Sequence, residues 1–353
     1  MTVVYATREQ VQDSMEMTST PRADRLTDQK LGAATQMIEA MLRRKFYPKT
    51  ETIKFDWPSY QHSTSWTFYF EDNEFVSIDS VVTGGTTMDP STYFLRRSDN
   101  GNSPPFDMLQ VDMSTAASFS VGTTFQRSLQ VTGPTGYNAT DLSVAAASLS
   151  SGINGSVSQI TLKPVNSVLD VGVGSLAVIG SERFLVTNRL MADSGYTVQS
   201  DIDDDMAAAV IDVIDGTKFA AGEVILIDSE RMHIDEIAGN NLIVTRAWDG
   251  SALATHEQAT TIYARRTYNV TRAALGSTAA AHSTDDNVYV HQYPALVNEL
   301  CIAETTVLIE QSSTAYARQS GSGANARQSA GQGLDDLRNQ ARIAFSRERM
   351  DAI

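Results

Sequence analysis

Cysteine occurs once in 353 residues, at Cys301, so no disulfide can form within the chain and the fold must hold without a covalent staple. A single thiol in such a setting reads as a small buried hydrophobe. Long apolar runs are missing too. Nothing approaches the ~18 consecutive apolar residues of a membrane span, and the opening MTVVYATREQV has neither the basic nor the apolar region of a secretion signal. These absences predict a cytosolic protein or a member of a soluble assembly, with no membrane partner. Bases are scarce, 27 Lys and Arg against 42 Asp and Glu, and the formal charge of -15 argues against a surface shaped to grip phosphates. The deficit is local: from Asp193 to Glu236 twelve acids face two bases, Lys218 and Arg231. What the chain does have is a hydrophobic fraction of 42%, enough for two domains or for one with a large insertion.

The first ~45 residues read as helix. Thr7 and Gln10 have capping-box spacing, and Thr20-Pro21 places an N-cap before a proline at the first helical position. Ala34, Met37, Ile38, Met41 and Leu42 then form one apolar stripe, Arg43, Arg44 and Lys45 suit the negative end of the helix dipole, and Pro48 lies beyond its end. From Glu51 the period changes to two. Ile53, Phe55 and Trp57, then Trp66, Phe68 and Phe70, and later Leu129 and Val131 alternate with polar residues between turns at Gly84-Gly85, Asp89-Pro90, Asn100-Gly101 and Pro104-Pro105. Ala139 to Val157 is rich in Ala, Ser and Gly and reads as a loop or weak helix. After the β-rich block, Tyr293-Pro294 opens a helix whose stripe is Leu296, Val297, Leu300, Cys301, Ala303, Val307 and Leu308. Gly321 to Gly333 reads as a flexible linker, and Leu334, Leu337, Ala341 and Phe345 share one face of a last short helix that also carries Arg338 and Arg342.

Two internal repeats stand out. VTRAWDGSALATHEQATTIY, from Val244 to Tyr263, matches VTRAALGSTAAAHSTDDNVY, from Val270 to Tyr289, at an offset of 26 residues. Gly174, Ile179, Ser181, Glu182 and Arg183 recur at an offset of 48 as Gly222, Ile227, Ser229, Glu230 and Arg231. Taken in chain order this is a tandem duplication. Each unit reads as an apolar strand, a polar Ser-Glu-Arg turn, a returning strand, a glycine turn at Asp193 to Gly195 or Gly239-Asn240, and another strand.

None of the chemical motifs completes itself. His256 and His282 occupy equivalent repeat positions with no ligand-spaced partner, and read as turn histidines bonded to their own hairpins. Arg246 and Arg272 read as exposed strand-end arginines that cover an aromatic or pair with an acid. Asp201, Asp203, Asp205 and Asp212 fall at calcium-loop positions, but Met206 stands where such a loop needs glycine and the last ligand is not glutamate, so the reading is an acidic turn. Gly172-Val-Gly174 echoes a dinucleotide fingerprint but precedes a strand pattern, where phosphate binding requires a helix N-terminus. The expectation is no catalytic, cofactor-binding or metal-binding residue, and no enzyme.

Four segments, in order, carry a resemblance: LRRKFYPKTETIKFDWP, FYFEDNEFVSIDSVVTGGTTMDPSTYFLRR, PPFDMLQVD and LQVTGPTGY. With the helix before them and the helix at Pro294, this order resembles the head-to-tail adaptor (connector) proteins of long-tailed bacteriophages, particularly those of actinobacterial hosts. The likeness covers residues 1 to 137 and resumes at Pro294; the duplicated block between departs from the smaller adaptors. The resemblance implies an α+β fold: an adaptor core over 1–140, a β-rich insertion over 141–292, a core helix over 293–318 and a flexible tail with a docking helix over 319–353. It implies a ring of about twelve copies in the virion neck, assembled in the host cytoplasm, as closed rings of identical subunits commonly are. Its partners would be the portal, the stopper or tail terminator, and the capsid through the insertion, with double-stranded DNA passing through the channel. The tail residues Leu334, Leu337, Arg338, Ala341, Arg342 and Phe345 would bind the portal. The rival readings are another tail, baseplate or host-recognition component and, remotely, a virion hydrolase using carboxylates between Asp201 and Asp212, for which no facing pair is evident.

Overall fold

Thr7 ends its extended segment by accepting a hydrogen bond from the Gln10 backbone N–H at 3.2 Å while the Gln10 side chain accepts from Thr7 N–H at 2.9 Å, and the reciprocal cap starts helix α1, Arg8–Ser14. Helix α2, Pro21–Leu42, begins with proline at its first position and the Thr20 hydroxyl accepting from Ala23 N–H at 3.2 Å. It stops where Arg43 turns into the left-handed region at φ 51. Two more helices, α3 (Ala295–Ser313) and α4 (Gln332–Phe345), lie near the C-terminus. The computed structural model describes residues 3–58, 65–99, 101–137, 145–313, 319–320, 327–328 and 332–347. It is a mixed α and β structure with four α-helices and a β-rich body among those residues. Among the described residues no helix is long and apolar enough to cross a membrane.

The chain divides into two compact units, and the division falls inside α2 between Thr35 and Gln36. Residues 1–35 of the expected adaptor core thus belong with the β-rich block. The unit built mainly from Gln36–Asp141 holds the strands β1 (Lys49–Phe55), β2 (Thr67–Tyr69), β3 (Ser80–Thr83), β4 (Thr86–Thr87), β5 (Tyr93–Arg96), β6 (Met108–Val111) and β7 (Leu129–Thr135). They form a four-stranded sheet, β1-β7-β3-β4, and a three-stranded sheet, β2-β6-β5. The alternation expected from Ile53, Leu129 and Val131 is the inward-facing row of the first sheet, and it closes over an aromatic core of Phe55, Trp57, Phe68, Phe70, Phe75 and Phe119. Ring pairs such as Phe70 and Phe75, 4.7 Å apart and edge-on, add about 0.5–1.5 kcal/mol each beyond their burial. In the same unit Phe345 at the end of α4 packs on Phe46 at 5.6 Å and Tyr137 at 5.5 Å, and its carbonyl accepts from Arg44 at 3.0 Å.

The other unit carries α1, the first part of α2, most of α3 and, besides a short pair described below, a sheet of ten strands: β8 (Ala147–Leu149), β9 (Gln159–Lys163), β10 (Leu176–Ile179), β11 (Glu182–Thr197), β12 (Val210–Asp212), β13 (Val224–Ile227), β14 (Glu230–Ala238), β15 (Asn241–Thr245), β16 (Thr261–Thr271) and β17 (Asn287–Val290). Strand β8 lies in the Ala, Ser and Gly rich stretch read as loop or weak helix; tertiary pairing with β17 and β9 overrides its weak propensity. Residues 139–144 of that stretch are outside the described residues. Within the segment read as a linker, β19 (Arg327–Gln328) pairs with β18 (Gln319–Ser320), while 321–326 and 329–331 are likewise outside.

Pairing in the ten strands overturns the tandem reading. Strands β10, β17, β8, β9, the C-terminal half of β16 and the N-terminal half of β11 close into a six-stranded barrel. A second barrel repeats that circuit with β13, the N-terminal half of β16, the C-terminal end of β11, β12, β15 and β14, closed by Gln199 N–H to the Asp212 carbonyl at 2.9 Å. Ala177 opposite Val290 in the first is Ile225 opposite Ala264 in the second, and Leu190 opposite Thr267 is Ala238 opposite Asn241. Between Ala238 and Asn241 lies only the turn Gly239-Asn240, whereas between Leu190 and Thr267 lies the whole second barrel. One copy is therefore nested in a hairpin turn of the other, and the offsets of 48 and 26 are the two flanks of that single insertion. Asp193 to Gly195 is consequently not a turn: it lies within the sixteen-residue strand β11, at an irregularity in its pairing with β16.

Candidate functional site

The matched phrases converge in space. Glu182 and Glu230 each follow a tight turn, at Gly180 (φ 60) or Asp228 (φ 51), and enter the next strand with the side chain pointing inward. Arg246 Nε and a terminal nitrogen bond both Glu230 oxygens at 2.7 Å, and Arg272 does the same to Glu182 at 2.7 and 2.8 Å. This bidentate fork is the strongest pairing the two side chains can make. The other guanidinium hydrogens of Arg246 go to the carbonyls of Asp203, Ala208 and Ala254, and those of Arg272 to the carbonyls of Asn154, Val157 and Ala280. All five donors of each arginine are used.

Each glutamate also holds a loop by both ends. Glu230 accepts from the Ala247 and Ala254 backbones at 2.9 and 3.0 Å, and Glu182 from Ala273 and Ala280 at 3.1 and 2.9 Å. Between those ends Ala247 and Asp249, like Ala273 and Leu275, sit at φ between 50 and 54, a conformation that costs an L-residue about 1–2 kcal/mol. The clamp offsets that cost. Burial would raise both carboxyls, but the arginine, the backbone amides and the histidine outweigh it and hold Glu182 and Glu230 at about 2. A carboxylate that accepts five hydrogen bonds and titrates near 2 stays charged and fully engaged near neutral pH, so each cluster acts as a latch.

His256 and His282 complete the clusters, with Nε2 at 3.0 Å from Glu230 and 2.9 Å from Glu182. Their backbones also pair with Ile202 and Ile153 through isolated bridges. The expected side-chain bond to their own hairpin is corrected: the partner is a glutamate 26 or 100 residues earlier in the chain. Of the two arginines, the expected pairing with an acid holds for both and the cover of an aromatic for Arg272, 4.8 Å from the centre of the Phe184 ring; only their expected exposure is corrected, since Arg246 is buried and Arg272 nearly so. The sequence reading missed the two glutamates. Their signal was the Ser-Glu-Arg phrase recurring in step with Val-Thr-Arg, visible once the two offsets are joined into one insertion.

The remaining motifs have structural employment. The carbonyls of the calcium-like loop point at the Arg246 guanidinium, while Asp201 accepts from Gln258 N–H, Asp205 from Ala207 N–H and Asp212 lies in β12. Among the described residues no group of three or more His, Cys, Asp or Glu could hold a metal ion. Gly172 and Gly174 let α1 dock. A Cβ at Gly172 would come within 2.7 Å of Thr7 Cβ, Gly174 takes φ 99, and Val173 accepts from Arg8 N–H while donating to Glu9. Cys301 is buried beside Thr35, and burial pushes its thiol up to about 11.

On α4, Leu334 and Ala341 are buried, Leu337 and Phe345 half-buried, Arg338 pairs with Asp335 at 2.9 Å and Arg342 is exposed. Phe345 is thus occupied within its own chain. The outer face presents Arg342 and Ile343, the latter 87% exposed. Compared with protein families, curated proteins and solved structures, the chain matches none.

Proposed function

We propose that this chain is a head-to-tail adaptor of a long-tailed bacteriophage: about twelve copies form a closed ring that joins the portal to the stopper and lets DNA pass. The observation that carries the reading is the collinear order of the adaptor-like segments, from the helices before Pro48 through LQVTGPTGY to the helix after Pro294. The nested duplication is compatible with it: the second barrel enters at one turn of the first, between Leu190 and Thr267, a form of growth that leaves the flanking segments in order. A formal charge of -15 suits a channel through which DNA must slide without being gripped.

The portal contact is assigned to α4. In this conformation Phe345 packs inward, so the docking face is the one bearing Arg342 and Ile343. Electron microscopy of the purified protein mixed with portal rings from the same virus tests the reading. A ring stacked on the portal is expected, and it should be lost both on removing 319–353 and in the R342E/I343S variant, which leaves the inner stripe intact. No association by the full chain would overturn the adaptor assignment. Stacking that survives both changes would overturn the assignment of the contact to α4.

A further inference from the structure

The two barrels serve as internal controls for each other's surfaces. On the outward face of the β9 and β16 pair, Gln159 stands opposite Asn269 and donates to its side-chain oxygen at 3.0 Å; the Thr161 and Thr267 hydroxyls meet beside them at 3.1 Å. The matching positions in the nested barrel hold Val210 opposite Ile243 and Asp212 opposite Asn241. Directly opposite residues share a face at about 5 Å between Cβ atoms, so an apolar pair replaces an amide pair.

More apolar surface adjoins it. Val210 is 54% exposed, Ile214 two residues beyond Asp212 is 68% exposed, and Met206 in the preceding turn is 55% exposed. Singly exposed hydrophobes need no explanation, but Val210 and Ile243 stand directly opposite each other on one outward face, and Ile214 continues the Val210 side of the strand past Asp212. Its rim is acidic: Asp212 follows Val210 on the same face, Glu236 lies across from Ile243, and Asp203, Asp204 and Asp205 occupy the turn before. The nested barrel from 193 to 264 has fourteen acids against three bases, whereas the outer one, 145–192 with 265–292, has four against six. The acid surplus and the apolar pair are found on the same copy.

We propose that the face around Val210 and Ile243 docks a protein surface whose apolar centre is ringed by lysine or arginine. An acidic rim repels nucleic acid and anionic lipid, and it disfavours a second copy of a chain with net charge -15. The apolar centre supplies the contact that persists once salt screens the rim. This assignment does not depend on the adaptor reading.

The test is fluorescence anisotropy of the full chain with a labelled helical peptide bearing leucine along one face and lysine on its flanks, and with a twin carrying glutamate for lysine. The decisive variant is V210Q/I243N, which installs the outer barrel's own pair and so a pair this framework accommodates; V210Q alone is the fallback, and circular dichroism checks folding. The lysine peptide should bind the parent chain at least about tenfold more tightly than the variant, as expected for loss of a central apolar anchor, and the glutamate twin should not bind. Equal binding by parent and variant would reduce the effect to diffuse charge attraction and overturn the proposal. So would equal binding of the two peptides. Concentration-dependent self-association of the parent, abolished in V210Q/I243N, would make the occupant a second copy and overturn the basic-partner assignment.

Discussion

The outer and nested barrels keep the same latch and differ in what faces water. Both hold a buried glutamate between an arginine, a histidine and two backbone amides, at nearly the same distances. Around that constant the nested copy carries acids and an exposed apolar pair, while the outer copy has amide and hydroxyl pairs and packs Arg272 on Phe184 where the nested copy has Met232. The difference separates what the barrel needs from what it can vary. The strained loop and its clamp recur because Ala247 and Ala273 need an acceptor at that place, whereas the strand faces toward solvent tolerate either chemistry.

The comparison breaks most sharply at the glutamates. Glu230→Ala leaves Arg246 buried without its counter-charge, and losses of roughly 3–5 kcal/mol are typical of such a change. Hydrogen exchange should show the nested barrel, from Val210 to Thr245, losing protection while β10 and β17 keep theirs. Glu182→Ala should do the converse, and identical exchange patterns from the two variants would contradict the view that each latch serves its own barrel.

Acid sharpens it next. Both glutamates sit at about 2 against an ordinary 4.5, so each contributes stability above about pH 4.5 that is lost as pH falls toward 2. The full effect is about 3 kcal/mol per site. Urea midpoints measured from pH 5 to pH 2 should fall steeply in the parent and less steeply in Glu230→Gln, which carries no carboxyl to protonate there. An unchanged slope would place the acid sensitivity elsewhere.

The smallest effect belongs to Asp228→Gly, which makes the nested turn match Gly180. It removes a 2.8 Å contact to His256 Nδ1 made by a side chain that is 57% exposed, and it also relieves φ 51 at a non-glycine residue. A hydrogen bond nets about 0.5–1.5 kcal/mol and a left-handed non-glycine residue costs about 1–2 kcal/mol, so the two terms nearly cancel and thermal unfolding should barely move. A large loss would mean that His256, and not Glu230 with Arg246, holds the nested latch.

Local signals in the sequence were legible where a single element decides them. The Thr7 and Gln10 cap, the proline start of α2 and the alternation through Ile53 and Phe55 all describe contacts a few residues apart. In the α2 stripe Ala34, Ile38 and Leu42 are buried while Met37 is exposed, as the edge of a stripe allows. What was not legible depends on pairing between distant strands. Nothing local distinguishes a tandem from a nested copy, because both give the same repeated phrases; the difference lies in whether Glu182 meets the first Val-Thr-Arg or the second. Strand β8 was hidden for the same reason, since Ala147 to Leu149 has no strong strand preference and is held by its neighbours. Asp193 to Gly195 has the composition of a turn but the surroundings of a strand shared by two barrels.

The nested arrangement has one direct test. Replacing residues 191–266 by Gly-Asn, the turn that joins β14 to β15, would reconnect Leu190 to Thr267 as Ala238 is connected to Asn241. Hydrogen exchange of the shortened chain is predicted to show the outer barrel strands, with Glu182 and Arg272 still paired, as protected as in the parent. Loss of protection throughout β8, β9, β10 and β17 would contradict the nested copy and return the block to a single interdependent fold.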